Sequence, residues 1–146
     1  MISVGKLLEN KGGELWSTHP DESVFNTIKL MDEKSVGALA VIDQGALAGI
    51  ISERDYARKV ILKGRQSKET RVKEIMTRQV YHTFPEQDVE ACLAVMTKYH
   101  IRHLPVISDK KVIGMISMGD VVKHILVEQK QEIEHLEHYI SWEESF

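Results

Sequence analysis

Two kinds of apolar spacing alternate along this 146-residue chain, and they do so twice. Val24, Ile28 and Met31, and again Val89, Leu93 and Met96, recur at the three- and four-residue steps of a helix that buries one face. Pro20-Asp21 and Pro85-Glu86 precede these sets and suit a helix start. Ala38 to Ile42 and Leu104 to Ile107 are continuous apolar runs, as are Leu47 to Ile51 and Val112 to Ile116. Polar turns at Asp43-Gln44-Gly45 and Ser108-Asp109-Lys110 join each pair. Such runs predict paired, buried strands. A short strand is expected ahead of each helix, at Glu14 to Ser17 and Val80 to Thr83. A closing helix carries Tyr56, Val60 and Ile61, or Val121, Val122 and Ile125. Each half therefore reads β-α-β-β-α.

The halves are copies of one another. Thr18 to Ile61 aligns without a gap on Thr83 to Leu126, at a constant offset of 65. The shared positions are apolar, Gly, Pro and Asp sites, including Pro20/Pro85, Met31/Met96, Gly49/Gly114, Ser52/Ser117 and Asp55/Asp120. That pattern is the mark of internal duplication. A repeat this short cannot cover both faces of its own sheet, so the two should pack on one another as a pseudo-twofold pair in an α/β (α+β) fold. The expected divisions are residues 1–62 for the first repeat with a lead-in helix capped by Ser3, 63–71 for a polar linker, and 72–127 for the second repeat. Residues 128–146 follow as an acidic helical extension. Val72, Ile75 and Met76 after the linker echo Val4, Leu7 and Leu8 of the lead-in. In the extension Leu126, Ile133 and Ile140 stand seven residues apart, with Gln129 and Leu136 between them, as in an a/d seam. This stripe needs a partner surface, either its own domain or a second subunit.

Composition narrows the class of protein. The hydrophobic fraction of 42% and charged fraction of 28% suit a soluble globular domain, and the net charge is only −3. The charge is uneven, however: Arg54 to Arg78 holds nine Lys or Arg against three acids, and Val127 to the end holds six Glu against one Lys. No apolar run is long enough to span a membrane, and no signal-peptide core begins the chain. The lone Cys92 fits a reducing compartment, expected to be the cytoplasm, and a packed helix thiol rather than a nucleophile.

The candidate chemistry lies in a doubled motif, Gly49-Ile50-Ile51-Ser52-Glu53-Arg54-Asp55 and Gly114-Met115-Ile116-Ser117-Met118-Gly119-Asp120. Each is the end of a buried strand, a Ser that starts a helix and an Asp in its first turn. Ser-x-x-Asp is a helix-capping pattern, and duplication copies a cap as faithfully as a site. The unpaired N–H groups of a helix start also suit an anionic or hydroxyl-rich ligand. Arg54, Arg102 and His103, which a cap does not require, point to the second use.

The tandem β-α-β-β-α order, the strand Leu104-Pro105-Val106-Ile107 and the doubled Gly-x-x-Ser-x-x-Asp together resemble a pair of cystathionine β-synthase (CBS) domains of stand-alone bacterial type, the Bateman module. The resemblance implies two clefts between the repeats that bind adenine nucleotides such as AMP, ATP or NAD, and pairs that associate into a flat homodimeric disc. It assigns Asp55 and Asp120 to ribose hydroxyls and Ser52 and Ser117 to ribose or phosphate. Arg54 would reach phosphate, with Gly119 as its counterpart. Arg102 and His103 occupy a phosphate-contacting position where the first repeat has Gly37 and Ala38, and Pro105 follows in the same strand. Thr18 and Thr83, with Arg71 to Met76, wall the adenine. The cleft centred on Asp120, Ser117, Arg102 and His103 is expected to bind better than that around Asp55 and Arg54.

The expected function is a non-catalytic, regulatory nucleotide sensor acting as a homodimer with an unidentified downstream protein. A structural adaptor with vestigial clefts is the alternative. An enzyme is not expected, because no nucleophile or acid/base pair with a positioned partner is visible, nor a P-loop or dinucleotide Gly fingerprint. No catalytic cofactor or metal is expected: His135 and His138 with Glu134 lack a third ligand fixed by spacing. Apart from Tyr56, the basic stretch lacks the aromatic interleaving of a nucleic-acid site. Arg58, Lys59 and Lys63 read as a solvated helix face.

Overall fold

The computed structural model describes residues 2–144, with side chains described as far as Ser141. Helix α1 (Val4–Lys11) is capped by the Ser3 hydroxyl, which accepts from the Lys6 N–H, and Gly12 ends it at φ 64°. Strand β1 (Ser17–Thr18), helix α2 (Val24–Lys34), strands β2 (Ala38–Asp43) and β3 (Ala46–Ser52) and helix α3 (Glu53–Tyr56) follow. Helix α3 widens into a π turn over Ala57–Ile61. After the linker come α4 (Val72–Ile75), α5 (Val89–Tyr99), β4 (His103–Ser108), β5 (Lys111–Ser117) and the 27-residue α6 (Met118–Glu144).

The duplication extends to details of pairing. Strand β1 runs parallel to β2 with Thr18 opposite Val41, and the second repeat keeps only the matching Thr83–Val106 bridge. The hairpins β2–β3 and β4–β5 are antiparallel, and each shifts register at the same place, after Val41 and after Val106. The strands expected at 14–17 and 80–83 are therefore shorter and later than the sequence suggested. Only the residues that lie along the edge of β2 or β4 can pair, and an edge strand is not defined by apolar periodicity.

The cores cross the order of the chain. Val72, Ile75 and Met76, which follow the linker, pack with Val24, Met31, Leu39, Val41, Ile51 and Val60 of the first repeat. Val4 and Leu7 of the lead-in pack with Val89, Cys92, Met96, Leu104, Val106, Ile116 and Val121 of the second. Backbone bonds fix this exchange: the Val4 N–H donates to Gln87 O at 2.7 Å, and the Val72 N–H to Glu22 O at 2.9 Å. Each repeat is thus closed by a helix that precedes the other in sequence.

One expectation about helices changes, and one open alternative narrows. Val60 is buried but Ile61 is exposed, since the π turn re-phases the face that continues from Tyr56. The apolar stripe of the extension does not fold back on its own domain. Leu126, Ile133, Leu136 and Ile140 are each more than half exposed, at 60, 55, 53 and 54%. Among the described residues no helix is long and apolar enough to cross a membrane.

Candidate functional site

Both strand-to-helix junctions are reciprocal capping boxes. The Ser52 hydroxyl accepts from the Asp55 N–H at 3.2 Å, while Asp55 Oδ2 accepts from the Ser52 N–H at 3.0 Å. At the second junction the Asp120 N–H donates to Ser117 Oγ at 3.0 Å, and the Ser117 N–H to Asp120 Oδ2 at 2.8 Å. The capping reading of the motif is therefore correct, and it leaves the second carboxylate oxygen of each Asp outside the box. A further pair of bonds ties each junction to the entrance of the preceding strand: the Glu53 N–H donates to Gly37 O at 3.1 Å, and the Met118 N–H to Arg102 O at 2.8 Å.

Each junction opens on a cleft whose opposite wall comes from the other repeat. The Asp120 cleft, about 320 Å³, is lined by Ser117 and Asp120, by Ser35 to Ala38 and His103, and by Lys11 to Trp16. The Asp55 cleft, about 620 Å³, is lined by Ser52 to Asp55 and Arg58, by Tyr99 to His103 and Gly37, and by Thr77 and Gln79 to Tyr81. Moving by the repeat offset carries one lining onto the other, which is the pseudo-twofold in atomic terms. Aromatic side chains follow the same symmetry. Lys34 Nζ sits 4.2 Å from the Trp16 ring, and at the equivalent positions Tyr99 stacks on Tyr81 with centroids 4.1 Å apart.

This crossing redistributes the cations. Arg102 lines the Asp55 cleft beside Arg54 and Arg58, not the Asp120 cleft with which the sequence had grouped it. His103 borders both clefts, and a Cβ on Gly37 would lie 3.5 Å from its ring. In the Asp120 cleft the positions equivalent to Arg102 and Arg54 are Gly37 and Gly119, so among the described residues the only Lys or Arg lining it is Lys11. Arg54 Nη1 donates to His100 O at 2.9 Å, spanning the mouth of its cleft from one repeat to the other.

The two carboxylates meet different lysines. Lys59 Nζ lies 2.9 Å from Asp55 Oδ1 and donates to Ile75 O at 2.9 Å, while Thr77 Oγ1 reaches Asp55 Oδ1 at 3.4 Å. Lys59 is exposed, as a solvated face requires, yet tethered to Asp55, and exposed Arg58 beside it lines the cleft wall. At the other junction Lys11 Nζ donates to Asp120 Oδ2 at 2.8 Å and to Met115 O at 2.9 Å. Burial alone would raise the Asp120 carboxyl, but the Lys11 ammonium and the Ser117 N–H outweigh it and hold the group below its ordinary 3.8. His103 is pushed below its ordinary 6.5, chiefly by burial and then by Lys11, against the opposing pull of Asp120.

Several residues singled out in the sequence stand outside the lining of these two clefts. The Thr18 hydroxyl pairs with that of Thr27 at 2.9 Å, and buried Thr83 accepts from Cys92 Sγ at 3.3 Å. Arg71 is exposed and faces Asp21 at 3.5 Å. Met76 is buried against Gly49, Pro105 is buried in β4 opposite Met115, and Gly119 lies in the first turn of α6. Sequence reasoning missed Lys11, Trp16, Thr77 and Tyr81. It also missed the pairing of Lys59 with Asp55, which alone carried a signal, their i,i+4 spacing.

Known proteins agree with this architecture. A family model described as "CBS domain" matches residues 14–62 and 72–127. The CBS domain-containing protein CBSX3, mitochondrial, of Arabidopsis thaliana is 46% identical over 145 residues, covering 96% of this chain and 69% of the plant protein. A CBS-domain protein from Burkholderia ambifaria superimposes with a TM-score of 0.83 at 45% identity, over 87% of this chain and 96% of that one. The CBS domain pair of protein MJ0100, crystallised with 5′-methylthioadenosine and S-adenosyl-L-methionine, superimposes with a TM-score of 0.76 at 26% identity, over 88% and 99% of the two chains. With two matched repeats, their shared clefts and these relatives, the chain belongs to the CBS domain family.

Proposed function

We propose that this chain is a non-catalytic regulatory module that binds an adenine nucleotide, AMP, ATP or NAD, foremost in the Asp55 cleft, and works as a homodimer. The observation that carries the reading is the gathering of Arg54, Arg58 and Arg102, from both repeats, around the Ser52–Asp55 helix start. Guanidinium groups match phosphate oxygens in charge and donor geometry. Asp55 Oδ1, outside the capping box, would accept from ribose hydroxyls by exchanging its Lys59 partner at 2.9 Å, and the Tyr81–Tyr99 pair offers a flat apolar face to a base. The volume of about 620 Å³ lies within the range of small-molecule sites. The similarity to the MJ0100 pair supports an adenosyl ligand. Arginines favour one bearing phosphate over one bearing a sulfonium cation.

Regulation follows from the crossed walls. A ligand touching residues 52–58 of one repeat and 99–103 of the other favours the arrangement that brings them closest, and it shifts the pair only by its difference in affinity between arrangements. Calorimetric titration with AMP, ATP, NAD and S-adenosyl-L-methionine tests this. Phosphate-bearing ligands should bind, Arg102→Ala should weaken them at least tenfold, about 1.4 kcal/mol, and Asp55→Ala should cost more than Asp120→Ala. Failure of all four to bind below about millimolar, roughly 4 kcal/mol of affinity, would remove the sensor reading. Equal losses at the two Asp positions would remove the preference for the Asp55 cleft.

A further inference from the structure

Helix α6 leaves the body of the protein after Glu128, and residues 129–141 are exposed around the whole helix. At about 1.5 Å per residue, the part from 129 to 144 projects roughly 24 Å. A projecting helix that is polar all round needs no explanation, but this one carries Ile133, Leu136 and Ile140 on one seam, each more than half exposed. With Gln129 they form the a and d positions of two successive heptads.

The charges that flank the seam select the occupant and its direction. With Ile133 and Ile140 at a, Lys130 and Glu137 fall at e, and Glu132 and Tyr139 at g. A second copy aligned in parallel would set Glu132 against Glu137 of its partner twice, which is repulsive. Run antiparallel, with Ile133 over Leu136 of the partner and Gln129 over Ile140, the e positions meet one another. Lys130 then faces Glu137 of the partner on both sides of the twofold, and Glu132 faces the uncharged Tyr139. Of the other acids between Leu126 and Ser141, Glu128 falls at c and Glu134 at b, away from the seam.

We infer that the α6 extension is an antiparallel coiled-coil contact for a second copy of this chain, centred between Glu134 and His135. This names a surface for the second copy in the homodimer reading, and the test reads the tail alone. Oxidation should convert the double variant Gln129→Cys/Ile140→Cys to a disulfide-linked dimer, while neither single variant links; the native Cys92 is buried and does not interfere. Linking of Gln129→Cys by itself would mean a parallel tail and overturn the inference, as would no linking at all. A dimer that still sediments as one without linking would locate the subunit contact elsewhere and leave the homodimer reading standing. Charge reversal gives an independent sign: Glu137→Lys should weaken association about tenfold, and adding Lys130→Glu should restore it. Strengthening by Glu137→Lys alone is the parallel outcome, and no change in either variant also overturns the contact.

Discussion

At the scale of single residues, the two glycines of the repeated motif do different work despite identical sequence roles. A Cβ at Gly49 would stand 2.6 Å from the Thr77 carbonyl oxygen, a backbone atom held by the Ile50–Thr77 bridge. A Cβ at Gly114 would meet only the end of the Leu8 side chain, at 2.9 Å. Gly49→Ala should therefore cost about 1–3 kcal/mol and Gly114→Ala distinctly less, because Leu8 can change rotamer and a paired backbone cannot move. Chemical denaturation of both variants checks the order, and equal costs would contradict it. That both repeats carry Gly here was legible; the difference was not, because it depends on which segment arrives from elsewhere in the chain. The same holds for the carboxylates. Lys59 was readable as a partner of Asp55 four residues away, but nothing in the sequence marks Lys11 as the partner of Asp120, 109 residues distant.

At the scale of elements, apolar periodicity located α2, α5 and both hairpins, and the Ser-x-x-Asp pattern located the helix starts. It could not say which core receives α1 and α4, since Val4-x-x-Leu7 and Val72-x-x-Ile75 are equally good short amphipathic turns. The structure gives each to the opposite repeat, and this has a measurable consequence. Ile75→Ala should destabilise the protein by about 2–5 kcal/mol and lower amide protection in β2 and β3 first, although Ile75 follows the linker. Leu7→Ala should act instead on β4 and β5. Native-state hydrogen exchange distinguishes these outcomes from loss within the nearer repeat. The π turn after Tyr56 was equally hidden, because a widened turn leaves no residue pattern as distinct as a cap.

At the scale of the whole molecule, the clefts exist only because the repeats exchange walls, and His103 sits where both meet. Folded His103 holds its proton less readily than the unfolded chain, so the unfolded state binds more protons as pH falls through the ordinary 6.5. This residue's contribution should therefore lower stability as pH falls below about 6.5 toward its folded value. Denaturation at pH 7.5 and 5.5 should show a smaller drop for His103→Gln than for the parent chain, and an unchanged drop would mean that other groups carry it. The sequence by itself determined the duplication, through its gapless match at an offset of 65, and also the order of elements, the paired strands and the two capped helix starts, because each of these rests on spacing within about a dozen residues. Tertiary structure alone decided that Arg102 joins Arg54 and Arg58 around Asp55, that Lys11 meets Asp120, and that the α6 stripe faces outward. A pseudo-twofold sets the strand entrance of one repeat against the helix start of the other, so two copies of a motif read side by side cannot show which cations each will meet.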